Sequence, residues 1–351
     1  MTTVRVHAST EYDIIIGSDL LDRCGDLVAE VIKPCRACIV TDDTVAALYL
    51  QRVEISLQNA GFDTVSFIFP HGEASKSTET LVELLEFAAQ NRLTRSDCMI
   101  ALGGGVVGDM CGFASAVYLR GIRFVQIPTT LLSAVDSSVG GKTGVDLKAG
   151  KNLAGAFHQP SLVLCDYSTL DTLSPEIFAD GCAEVIKYGV INDREFFDSL
   201  ASVGVRPQLE NVIATSVKNK RDVVEQDEFD TGVRQLLNLG HTVAHAIEVC
   251  SNLAVSHGSS VAIGMVIVMR AAVKMGLCPE GELDLLVSVL KATGLPTHCD
   301  FTAEQLTAVA TADKKRKGNE IQLVVPYSIG DSRLLTLDIS ELCSFIEKGL
   351  Q

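Results

Sequence analysis

The stretch Cys98-Met-Ile-Ala-Leu102-Gly103-Gly104-Gly105-Val106-Val107-Gly108-Asp109 is an apolar run of strand length that passes through three glycines straight into a helical pattern. A strand joined to a helix in this way is the repeating joint of an α/β domain. Glycines there let the backbone approach a pyrophosphate, and the helix N-terminus supplies N–H groups and positive potential. The stretch satisfies G-x-G-x-x-G, but the acid expected about 20 residues later is missing, because that region reads Gly121-Ile-Arg-Phe124. The glycines also follow a late strand rather than the first. The standard dinucleotide fingerprint is therefore not met, and a tight turn without a ligand is the competing reading. Asp42, closing the run Ala37–Thr41, is a second candidate to bind a ribose hydroxyl.

Outward from this joint the first half keeps the same alternation. Runs at 3–8 and 12–16 predict a hairpin, and runs at 37–41, 64–69, 124–127 and 162–165 predict further strands. Between them, 43–60 and 77–91 carry apolar residues at helical spacing. Such alternation predicts a mostly parallel sheet covered on both faces. From about residue 174 the texture changes. Ser174-Pro175-Glu176 is a helix start, with a capping hydroxyl, a first-turn proline and an acid near the positive end of the dipole. Helical patterns follow at 209–226, 235–249, 259–275, 281–292 and 303–312, and only 321–326 still reads as a strand. The expected organisation is an α/β domain over 1–173 and a mainly α-helical domain over 174–351.

The chain has 351 residues, 47% of them apolar and 21% charged, enough for two packed cores and unlike a disordered or disulfide-stapled chain. Its net charge of −15 argues against nucleic acid or anionic membrane as a partner. The apolar run from Val261 to Met269 is stopped by Arg270, short of the roughly 20 residues a spanning helix needs, so no membrane association is expected. The first residues lack the layout of a signal peptide, and eleven scattered cysteines read as reduced thiols, so a cytoplasmic location is expected. Cys35 and Cys38 form the one close pair, and a zinc ribbon would need a second.

Against the acidic background, local cations suggest a small anionic ligand. Lys142 and Lys151 flank a polar, glycine-rich segment, Asp136-Ser-Ser-Val-Gly-Gly-Lys142-Thr-Gly144 to Lys151-Asn152, preceded by Thr129-Thr130. Hydroxyls, flexible backbone and lysines suit a phosphate or polyol, although two surface turns would look the same. Glu184 and Lys187 share a helical face, as do His241 and His245, and His257 follows. Three of the seven histidines thus fall within 17 residues. Their spacing suits a metal site of imidazoles with one carboxylate, and satisfied core histidines are the alternative.

Together these segments resemble the 3-dehydroquinate synthase family of sugar phosphate cyclases, almost end to end. The resemblance is carried by Gly103–Asp109, Tyr118-Leu-Arg120-Gly, Pro128-Thr-Thr-Leu-Leu, Val135–Thr143, Gly150-Lys151-Asn152-Leu, Ala183-Glu184-Val-Ile-Lys187-Tyr-Gly, Leu237-Asn238-Leu-Gly-His241-Thr, His257-Gly258 and Asp313-Lys314-Lys315. It implies a Rossmann-like nucleotide-binding α/β domain followed by a helical metal-binding domain. Glu184, His241 and His257 are then the implied ligands of a divalent metal, zinc first and cobalt second. Asp42, Glu73, Lys76, Gly104, Gly105, Asp109, Thr129, Thr130 and Thr172 are implied to hold NAD, with Lys142 and Lys151 where cofactor and substrate meet. Arg120, Asp136, Asn152, Lys187, Lys220, Arg234, Asn238, His245 and Lys314 (or Lys315) are implied around the substrate. The family also implies a homodimer. Two positions depart from its pattern: Ala244 stands where glycine is common, and Ser259-Ser260 where an acid and a small residue are common.

The implied reaction converts 3-deoxy-D-arabino-heptulosonate 7-phosphate into 3-dehydroquinate and phosphate, in the shikimate pathway to the aromatic amino acids. NAD-dependent oxidation of a hydroxyl acidifies the neighbouring C–H, phosphate leaves by β-elimination, the hydride returns, and an intramolecular aldol step closes the ring. Three readings compete: a valiolone synthase, a metal-dependent NAD alcohol dehydrogenase, and a nucleotide-binding sensor without turnover. Lys220, Arg234 and Asn238 favour a substrate with a carboxylate over the first of these.

Overall fold

A computed structural model describes residues 1–312 and 319–351. Lys314 and Lys315 lie outside the described residues. The chain forms two compact units, Met1–Leu173 with Lys220–Phe229, and Ser174–Asn219 with Asp230–Gln351. The segment 220–229, placed by the sequence reading in the helical part, belongs with the first unit.

The first unit contains strands β1 (Thr2–Val6), β2 (Tyr12–Gly17), β3 (Arg36–Asp42), β4 (Asp63–Phe69), β5 (Cys98–Gly103), β6 (Arg123–Pro128), β7 (Lys142–Leu147), β8 (Gly150–Phe157) and β9 (Leu162–Asp166). Its helices are α1 (Cys24–Val31), α2 (Asp43–Val45), α3 (Gln51–Asn59), α4 (Thr78–Gln90) and α5 (Gly105–Val117). Seven strands form one sheet in the order β1-β2-β9-β6-β5-β3-β4, parallel except for the β1–β2 hairpin. Alternate residues of the central strands feed opposite cores. Ile39 and Ile100 pack with Leu27, Val28, Val53 and Leu57 of α1 and α3. Cys38, Val40, Met99 and Ala101 pack with Leu84 of α4 and Met110 and Ala114 of α5. Burial on both faces explains why these strands read as unbroken apolar runs. Each fully buried Leu or Ile contributes roughly 1.5–3 kcal/mol.

The chain leaves β3 for β4 on one side and returns to β5 on the other, so the sheet order reverses between β3 and β5. Open α/β sheets bind ligands beyond the carboxyl ends of strands at such a reversal. Thr41 is level with Leu102, and Gly103 with Pro128, so Asp42, the glycines and Thr129 share one rim.

The second unit is built from α6 (Pro175–Asn192), α7 (Arg194–Val203), the start of α8 (Leu209–Gln226), α9 (His241–Cys250), α10 (His257–Lys274), α11 (Glu280–Ala292), α12 (Ala303–Ala312) and α13 (Leu342–Leu350). Ser174 caps α6, its hydroxyl accepting from the Ile177 N–H. The helix expected over 235–249 instead divides into a 3-10 segment Val233–Asn238 and α9. The cause is Gly240, at φ +78°, which turns the chain before α9 begins.

Two hairpins were not legible as such. Residues 321–326 are not the last strand, because β10 (Glu320–Ser328) pairs with β11 (Asp331–Asp338). β7 and β8, from the polar, glycine-rich segment for which no strand was expected, form a two-stranded ladder in which Gly144 faces Gly155. Both depend on a pairing partner rather than on a local apolar pattern. No described helix is long and apolar enough to cross a membrane.

Candidate functional site

In the first unit, α5 starts at the rim of the sheet. Gly104 occupies its N-cap position, and a side chain there would press on Thr130. Thr129 donates its N–H to the Gly103 carbonyl at 3.0 Å, tying β6 to the turn, and Thr130 is braced by Ser133. Asp42 accepts from the Val45 N–H at 2.9 Å and so caps α2. Thr172 Oγ1 lies 2.6 Å from the Tyr49 hydroxyl. Lys76 follows β4 and is 6% exposed, with Nζ donating to Asp109 Oδ2 and to Asn152 Oδ1, each at 2.6 Å. Burial works against its ammonium, but Asp109 outweighs that and holds the lysine above its ordinary pKa. Glu73 faces Lys151 at 3.6 Å.

The other cations are distributed. Lys220 donates to the Asp136 carbonyl at 2.7 Å and its carboxylate at 2.9 Å, a link within the first unit. Lys142 pairs with Phe157 at the open end of the β7–β8 hairpin, while Lys151 adjoins the turn at its other end. These two lysines are not brought together: about four residues of ladder, roughly 13 Å, separate them. Arg120 is exposed three residues beyond Val117, the last residue of α5, which itself lies about 12 Å along the helix from Asp109 at 1.5 Å per residue.

In the second unit, Glu184 lies mid-helix on α6, His241 opens α9 and His257 opens α10. One ligand atom from each lies within 4.8 Å of the others. Glu184 Oε1 is 3.6 Å from His241 Nε2 and 3.5 Å from His257 Nε2. Two close helix approaches bring them there. Gly240 abuts α10, where a Cβ would lie 2.8 Å from Met265 N. Gly258 abuts α6, where a Cβ would lie 2.0 Å from the Asp180 carbonyl oxygen. Asp180 also accepts from the Ser259 N–H at 3.1 Å and from the Ser256 hydroxyl. That carboxylate serves the start of α10, where Ser259 departs from the family's common acid.

Both imidazoles have their protons placed by a partner that can only accept. His241 Nδ1–H donates to the Leu239 carbonyl at 3.1 Å, and His257 Nδ1–H donates to Glu248 Oε1 at 2.8 Å. Each Nε2 is thereby directed toward Glu184. Burial, with Lys187 nearby, depresses His241 to about 3. For His257 burial opposes charge, yet the hydrogen bonds it donates to Glu184 and Glu248 prevail and lift it to about 10. A carboxylate with no solvent exposure beside two Nε2 atoms is a donor set that fits a divalent cation. Lys187, also buried, pairs with Glu184 one helical turn on.

His245 lies outside this group: it is exposed, with its ring edge-on to His241 at 5.7 Å. Arg234 is 2% exposed, and Asn238 is exposed at the end of the same 3-10 segment. Glu248 was not singled out from the sequence. Its signal was an acid three residues after His245 and seven after His241, on the face of α9 that carries both histidines.

Two family models match consecutive parts of the chain, one described as 3-dehydroquinate synthase N-terminal over residues 66–180 and one as 3-dehydroquinate synthase C-terminal over 181–316. A 3-dehydroquinate synthase of Streptococcus suis (strain 05ZYH33) is 45% identical over 346 residues, covering 97% of this chain and 98% of the relative. Among solved structures, a 2-epi-5-epi-valiolone synthase from Streptomyces hygroscopicus subsp. jinggangensis 5008, with NAD+ and Zn2+ bound, has a TM-score of 0.88 at 26% identity. That match covers 99% of this chain and 98% of the other. A 2-deoxy-scyllo-inosose synthase complexed with carbaglucose-6-phosphate, NAD+ and Co2+ shares the fold at a TM-score of 0.89 and 24% identity, covering 99% and 100%.

Proposed function

The chain belongs to the 3-dehydroquinate synthase family, and on that premise we propose which of its residues carry the reaction. The activity is that of a phosphate-eliminating cyclase, converting 3-deoxy-D-arabino-heptulosonate 7-phosphate to 3-dehydroquinate and phosphate. The observation that carries this reading is 45% identity sustained over nearly the whole chain.

In our reading the first unit binds NAD, with Asp42, Glu73, Lys76, Gly104, Gly105, Asp109, Thr129, Thr130, Lys142, Lys151 and Thr172 as the binding residues. NAD supplies a hydride acceptor that is regenerated each turnover. Glu184, His241 and His257 hold a divalent metal, zinc before cobalt. Such a metal supplies Lewis acidity that lowers the pKa of a bound hydroxyl. Three protein ligands leave coordination positions open, as a catalytic site requires.

The cations do the remaining work by charge-assisted binding of an anionic substrate. Lys220, Arg234 and Asn238 are assigned to its carboxylate end, with Arg120, Asp136, Asn152 and Lys187 around its hydroxyls and phosphate. Lys314 has the same assignment in the family pattern. His245, exposed and outside the metal cluster, is suited to accept or give a proton or to meet the phosphate. A homodimer and a cytoplasmic location complete the reading, supported by family membership and by eleven cysteines that are all free thiols.

The test is phosphate release from the heptulosonate phosphate with and without NAD. Phosphate and dehydroquinate should form in equal amounts, with NAD needed only in catalytic quantity and no rise in free NADH. Stoichiometric NADH would turn the assignment to an alcohol dehydrogenase, and efficient turnover of sedoheptulose 7-phosphate to a valiolone synthase. Sedimentation equilibrium at low protein concentration checks the dimer.

A further inference from the structure

We propose that Glu248 is a positioning residue for His257, setting its tautomer and strengthening it as a metal ligand. This rests on the reading of Glu184, His241 and His257 as a metal site. Glu248 is 4% exposed on α9, and its Oε1 is 2.8 Å from His257 Nδ1. A carboxylate has no hydrogen to give, so Nδ1 keeps its proton and Nε2 is the nitrogen left to offer a lone pair to a metal beside Glu184. The two imidazoles of the site are therefore held unequally. His241 is oriented by a neutral carbonyl, that of Leu239, and His257 by a full negative charge. A carboxylate behind an imidazole raises its basicity and fixes its ring, which a carbonyl does less strongly.

The placement is also mechanical. His257 is the first residue of α10, and the ring of a helix-terminal residue has no neighbour on its N-terminal side within its own helix. Glu248 reaches it from the last turns of α9. Seven residues further along α9 than His241, Glu248 thus ties the second histidine to the helix that bears the first.

The test compares wild type, Glu248→Gln and Glu248→Ala, with zinc as the probe. Zn2+ dissociation constants are read by competition with a chromophoric chelator, and the Co2+-substituted proteins are compared by d–d absorption. Glutamine keeps an acceptor oxygen but not the charge. We expect affinity to fall about 10–100-fold in Glu248→Ala, with Glu248→Gln intermediate and its Co2+ spectrum shifted. The metal-free unfolding midpoint of Glu248→Gln should match wild type, separating metal tuning from stability. Unchanged zinc affinity and Co2+ spectra in both variants would overturn the proposal. If instead His257→Ala binds zinc like wild type, the metal-site reading itself fails, whatever Glu248 does.

Discussion

Lys76 and Asp109 form a largely buried ion pair, Nζ to Oδ2 at 2.6 Å, joining the segment after β4 to the first turns of α5. Removing one partner leaves the other charge poorly solvated. Asp109 retains 20% side-chain exposure, which lets water in and reduces the cost. Lys76→Met is expected to destabilise the protein by roughly 3 kcal/mol, the low end for breaking a buried pair. Urea denaturation without ligand measures it. A loss below about 1 kcal/mol would place the pair with ordinary surface salt bridges.

The three histidines should separate by function. His241→Ala and His257→Ala are expected to lose metal and activity together, because each removes one of three donors within 4.8 Å. His245→Ala should lose activity but retain about one metal per chain. Elemental analysis after dialysis decides it, and metal-free His245→Ala protein would contradict the assignment.

Gly258→Ala should do more than add a methyl group. Its Cβ would meet the Asp180 carbonyl oxygen at 2.0 Å, so α10 must move away from α6. Overpacking of this kind costs about 1–3 kcal/mol, and here it also shifts His257. Thermal unfolding and zinc content should fall together. Loss of stability with full zinc affinity would mean that the first turn of α10 can move independently of the ligand set.

Ala244 tests whether a departure from the family pattern is a matter of packing. It is fully buried within α9, between His241 and His245 in sequence. Ala244→Gly should lower stability by about 1 kcal/mol through helix propensity and leave zinc affinity unchanged. Tighter zinc binding in the glycine variant would show instead that the methyl group crowds the site.

Arg234 is 2% exposed, so its charge must be answered by partners or by ligand. If it binds the substrate carboxylate, Arg234→Ala should cost on the order of 1.5–3 kcal/mol in kcat/KM. Turnover of sedoheptulose 7-phosphate, which lacks that carboxylate, should change much less. Equal losses on both substrates would assign Arg234 a structural role.

Much of the fold was legible because helical and strand periods are properties of a few neighbouring residues. The runs that became β3, β5 and β6 alternate between two apolar cores, and Ser174-Pro175 begins α6 by capping chemistry written in the chain. Spacing marked His241, His245 and His257 as candidate metal ligands with one carboxylate, and the family resemblance implied Glu184, His241 and His257. Apart from that resemblance, spacing could not decide which histidine of α9 belongs with Glu184 and His257. His241 and His245 are one turn apart on the same face, and local geometry treats them alike. The choice is made by Gly240 against α10 and Gly258 against α6, contacts between residues far apart in the chain that bring Glu184 and His257 to His241. The β7–β8 and β10–β11 hairpins were hidden for the same reason, since a strand with glycines or mixed polarity is held by its partner's hydrogen bonds. Glu248 read as one more acid until α9 and the start of α10 were seen to place its carboxylate 2.8 Å from His257.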